Sequence, residues 1–148
     1  STVARLRARF DHVSCIKEAG GSCDKVSELV QELGDSVTVL SGDDALTLPF
    51  MSVGARGVVS VTSNLFPSDM VKMVQAALAN NFASARPYHQ RMFPLFAQML
   101  SLEPNPACIK YALQKAGKIE TAQVRLPLVV PSLENQAKLD LLLQDFLS

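Results

Sequence analysis

An excess of charge of either sign is missing from this chain: fourteen basic and fourteen acidic residues cancel to a net charge of +0 over 148 residues. With a pI near 6.7, the sequence offers no electrostatic case for nucleic acid or an anionic lipid surface. No apolar run reaches the ~18 residues of a membrane span. Arg5, Arg7, Arg9 and Asp11 break up the first dozen positions, which excludes a secretory signal pattern. Cysteine is scarce. Cys15, Cys23 and Cys108 form no zinc spacing and cannot pair completely, so they suit a reducing cytoplasm as small buried residues. His12 and His89 are too few for a histidine-rich metal site. Gly20-Gly21 lacks the lysine–serine/threonine ending of a phosphate loop, and no dinucleotide fingerprint occurs. No cofactor or metal is expected.

What is present begins with Lys17. It closes Val13-Ser14-Cys15-Ile16-Lys17, an apolar run that reads as a β-strand and opens into Gly20-Gly21. An ammonium on an apolar strand needs a partner or a shifted pKa. Desolvation favours the neutral amine, which is the form that makes a Schiff base with a carbonyl. The plainer alternative is a lysine that alternates outward or snorkels from the strand end.

Three βα units follow in order. A strand over 13–17 precedes a helix over about 22–33, capped by Ser22 and striped by Val26, Leu29, Val30 and Leu33. A second strand over 37–41 runs into Gly42-Asp43-Asp44 and a helix over about 44–54, with Asp43 or Asp44 suited to its N-terminus. A third strand over 57–61 opens into Thr62-Ser63-Asn64, and Ser68 or Asp69 caps a helix over about 69–80. Helices then follow at about 82–102, 105–117 and 133–147, the first containing Pro87 and Pro94. The predicted organisation is α/β, with βα units of a layered architecture over 1–80, a half-barrel if the layers form a barrel, and a helical extension over 81–148. Three short strands leave two open edges, so the chain is expected to live in a larger assembly. Its first residues already lie inside a helical pattern, which reads as a cut edge.

All three strands end in polar or glycine-rich sequence, and chemistry in β/α barrels gathers at such ends. That repeated placement raises Lys17 above the plainer alternative. Gly42 permits close backbone approach to a small ligand, and Val59 is a candidate pocket wall, although alternation leaves open which residues of 58–61 face it. Asp43 and Asp44 point apart as neighbours, and a helix cap explains one of them. Glu18 should face away from Lys17. His89 reads as a residue of a polar helix face, Lys110 as surface, and Met73, Met92 and Met99 as packing residues.

Five stretches together carry a resemblance: Ile16-Lys17-Glu18-Ala19-Gly20-Gly21, Leu40-Ser41-Gly42-Asp43-Asp44, residues 54–64, Glu103-Pro104-Asn105-Pro106 leading to Lys110-Tyr111-Ala112, and Arg125-Leu126-Pro127-Leu128. In them the chain resembles the C-terminal half of the dihydrodipicolinate synthases, within the pyruvate-dependent class I aldolase and lyase family. The resemblance implies strands six to eight of a (β/α)8 TIM barrel plus a three-helix C-terminal extension. It implies that Lys17 forms the Schiff base with pyruvate, that Gly42 and Val59 line the pyruvate pocket with Asp43 close by, and that aspartate 4-semialdehyde is the second substrate. It further implies a cytoplasmic homo-oligomer, a tetramer whose dimers meet near Cys23-Asp24 and Val53. The family's proton relay and carboxylate anchors belong to the first half, which is missing here. The chain is therefore expected to be a C-terminal piece, arising by proteolysis, by design or from a split gene, and poorly active alone. A related aldolase such as N-acetylneuraminate lyase, or an inactive self-associating half-barrel, are the alternatives.

Overall fold

The computed structural model describes residues 1–147. They form two compact units, residues 1–60 with 71–89, and residues 61–70 with 90 onward.

The first unit opens with helix α1 (Thr2–Arg9) and strand β1 (Cys15–Glu18). Helix α2 (Cys23–Leu33) starts where the sequence places it, because the Ser22 hydroxyl accepts the Lys25 N–H at 3.3 Å and relieves one orphan donor of the first turn. Gly34, at φ 52°, ends it. Strand β2 (Thr38–Ser41) pairs in parallel with β1, in the register Cys15 with Thr38, Ile16 with Val39, Lys17 with Leu40 and Glu18 with Ser41. Val26, Leu29, Leu33, Val39 and Phe50 make the apolar layer beneath this sheet.

Three sequence expectations change here. Helix α3 runs only from Thr47 to Ser52, with Leu46 at its cap and no side-chain capping bond. Residues 42–46 are instead spent on a turn in which Asp43 Oδ1 accepts the Ala45 N–H at 2.9 Å. The expected third strand contracts to a single parallel bridge, Val58 to Ser41. Strands exist by pairing, and here the ladder holds only from Arg56 N–H on the Val39 carbonyl to Val59 N–H on the Ser41 carbonyl. Cysteine burial also splits: Cys108 is buried, Cys23 half-buried and Cys15 exposed.

Helix α4 (Pro67–Leu78) begins at the proline, leaving Ser68 and Asp69 inside its first turn rather than before it. Proline suits that position because its missing N–H would be unpaired anyway. Helix α5 (Phe82–Met99) is continuous through Pro87 and Pro94, whose rings are exposed. The second unit is completed by α6 (Ala107–Lys115) and α7 (Leu133–Leu147). Leu95, Met99, Cys108, Ile109, Ala112, Leu139 and Leu143 form its core. Tyr111 Oη donates to Asp140 Oδ1 at 2.8 Å and Lys115 Nζ lies 2.9 Å from Asp140 Oδ2, tying α6 to α7. No helix among the described residues is long and apolar enough to cross a membrane.

Candidate functional site

Residues paired across a parallel ladder share a face of the sheet. Lys17 opposite Leu40 therefore shares a face with Cys15 and Thr38, and alternation along β2 carries Gly42 onto the same side. Ile16, Val39 and Ser41 point the other way, and Val39 and Ser41 are buried. The bridge of Val58 with Ser41 settles the choice that alternation left open. It puts Val58 on the Ser41 side and Val59 on the side of Lys17, where Val59 is 44% exposed.

Lys17 and Gly42 touch. A methyl group built on Gly42 would lie 2.9 Å from Lys17 Cε, 2.6 Å from Ala19 Cβ and 3.1 Å from the Glu18 carbonyl. The absent side chain is thus what lets the β2 backbone close on the lysine's methylenes, helped by the Gly42 N–H donating to the Glu18 carbonyl at 2.7 Å. Lys17 itself is exposed. The burial that its apolar strand suggested is not imposed by the residues described here.

Asp43 differs from the other three candidates. Its carbonyl accepts the Ser41 hydroxyl at 2.7 Å and the Thr47 hydroxyl at 3.1 Å, and its N–H donates to Ser41 Oγ at 3.2 Å. With Oδ1 on the Ala45 N–H, its backbone and one carboxylate oxygen are committed to the turn. Ser41 and Thr47, both fully buried, were not singled out from the sequence. The signal was there: hydroxyl residues bracketing a Gly-Asp turn hydrogen-bond the local backbone.

The other titratable groups singled out from the sequence each have local surroundings of their own. Glu18 pairs away from Lys17 and accepts the Gly20 N–H at 2.5 Å. His89 is half-buried rather than on an open polar face, and burial holds its imidazole below the usual range. Burial likewise pushes the Cys108 thiol up. Lys110 is half-buried and donates to the Gln123 carbonyl. A cavity of about 440 Å³ opens at the amino-terminal end of β2, between Val37, Asp35, Gly54 and Arg56, away from the strand ends that carry Lys17 and Gly42. Among the described residues no group of histidine, cysteine or carboxylate side chains is arranged to hold a metal ion.

Comparison with known proteins gives this face its context. The model of the dihydrodipicolinate synthetase family matches residues 1–146. The 4-hydroxy-tetrahydrodipicolinate synthase of Persephonella marina is 45% identical over 145 residues, which are 98% of this chain and 49% of that protein. The crystal structure of dihydrodipicolinate synthase from Aquifex aeolicus superposes with a TM-score of 0.93 at 39% identity, over 98% of this chain and 49% of that one. A chloride-inhibited dihydrodipicolinate synthase from Acinetobacter baumannii, complexed with pyruvate, gives a TM-score of 0.90 at 31% identity, over 97% and 48%. The chain thus spans about half the length of the relatives it matches, and it matches their C-terminal half.

Proposed function

This chain belongs to the dihydrodipicolinate synthetase family, and from that premise we propose that it supplies the Schiff-base half of a pyruvate-condensing synthase. The observation that carries the reading is the packing of Gly42 against the Lys17 side chain at the carboxyl ends of adjacent parallel strands. A three-carbon keto acid needs a lysine reachable from a small-walled space. Gly42 and Val59 share the lysine's face, while Asp43 closes the turn beside it. The pyruvate named for the Acinetobacter baumannii relative supports the choice of substrate.

Lys17 Nζ adds to the keto carbon of pyruvate, and the former carbonyl oxygen leaves as water to give an imine. Loss of a methyl proton converts the imine to an enamine. The enamine carbon then forms a bond to the aldehyde carbon of aspartate 4-semialdehyde, whose oxygen takes up a proton. Attack of that substrate's amine on the imine carbon closes the ring and releases Lys17. The proton shuttle and the donors for the pyruvate carboxylate come from the N-terminal half of the barrel. In the complete barrel β1, β2 and the 57–59 segment are strands six to eight. Residues 1–80 contribute βα units and 81–148 a three-helix extension. The complete enzyme works as a homo-oligomer, a tetramer, in the cytoplasm.

Incubating the full-length protein with pyruvate and borohydride, followed by mass spectrometry, tests this. A reduced pyruvate adduct is expected on Lys17 and is lost in Lys17→Arg. Absence of any adduct at saturating pyruvate rejects the reading.

A further inference from the structure

Nothing in the lysine chemistry requires Ser41, whose side chain lies on the opposite face from Lys17. Yet Ser41 bonds to the 57–59 segment that carries Val59 and to the turn that carries Gly42. Its N–H donates to the Gly57 carbonyl at 2.8 Å and its carbonyl accepts the Val59 N–H at 2.8 Å. Its hydroxyl donates to the Asp43 carbonyl at 2.7 Å and accepts the Asp43 N–H at 3.2 Å, closing a ring around Gly42. The Thr47 hydroxyl adds a second donor to the same Asp43 carbonyl at 3.1 Å. Both hydroxyl residues are 0% exposed.

A lysine side chain has a long flexible stem and samples many rotamers. Productive attack needs Nζ held at one distance and angle from the keto carbon, and small misplacements are expensive in rate. Gly42 presents bare backbone to the lysine methylenes, and a backbone wall is only as firm as the bonds that hold it. We propose that Ser41, assisted by Thr47, is a positioning residue for the Lys17 amine. It fixes Gly42 against the lysine stem and Val59 on the same face, so that Nζ is confined to the approach a small keto acid requires. This rests on the Schiff-base reading above and adds a supporting layer to it.

The test uses the full-length protein containing this chain, with Ser41→Ala, Thr47→Val and Thr47→Ser variants. Borohydride trapping is followed against pyruvate concentration, and melting curves establish that each variant is folded. Ser41→Ala is expected to lower the maximal trapping rate about tenfold while half-saturating pyruvate stays within about twofold. Thr47→Val should lower the rate several-fold, and Thr47→Ser should restore it. Should Ser41→Ala fail to fold, the Thr47→Val and Thr47→Ser pair decides. Trapping in folded variants at the wild-type rate overturns the positioning role and leaves the Schiff base intact. No Lys17 adduct in the wild type removes the Schiff base itself, and this proposal with it.

Discussion

At Gly42 a single hydrogen atom separates a working contact from a clash. An added methyl would meet the Glu18 carbonyl, Ala19 Cβ and Lys17 Cε at 3.1, 2.6 and 2.9 Å. Two of those atoms sit on or next to the β1 backbone and cannot swing aside. Gly42→Ala is therefore expected to destabilise the fold by about 1–3 kcal/mol, as overpacking does, and to abolish borohydride trapping at Lys17. Urea unfolding and the trapping assay read the two effects separately. Lys17 and Gly42 were both visible as residues in the sequence. Their contact was not, since it depends on the register that sets Lys17 opposite Leu40.

Elements differ in how far local sequence determines them. Helix α2 was legible to within a residue because Ser22 and Gly34 terminate it by short-range bonds. The strand over 57–61 was not, because its length depends on a neighbour. The join of α6 to α7 carries its own prediction. Burial, followed by the hydrogen bond to Asp140, raises the Tyr111 phenol above its ordinary 10.0. A raised folded-state pKa means that this stabilisation is complete below pH 10 and is lost as pH rises through the folded value. Tyr111→Phe should cost about 1 kcal/mol at neutral pH and flatten the loss of stability in alkali. Chemical denaturation from pH 7 to 11 compares the two proteins.

Across the whole molecule, the exposed Lys17 and Val59 lie on a sheet face that has no cover among the described residues. In the proposed synthase that cover is the N-terminal half of the barrel, which closes the ring and fills its interior. Acetylation of Lys17 by a water-soluble active ester should then be at least about tenfold slower in the full-length protein than in this 148-residue chain. Peptide mass spectrometry measures both rates, and equal rates would contradict the covered face. The same comparison checks the open edge of β1, whose amides should exchange slowly only in the complete protein.

The sequence by itself determined the α/β pattern, the caps and stripe of α2, the span of α7, and Lys17 at a strand end. These rest on residue type and short spacing, which act within a turn or two of chain. Only the tertiary structure decided that Val59 rather than Val58 shares the face of Lys17, that Asp43 is held by its turn, and that Ser41 bonds to the segments that carry Val59 and Gly42. Each of those depends on parallel pairing between segments far apart in the chain, where a shift of one residue would turn every side chain to the opposite face.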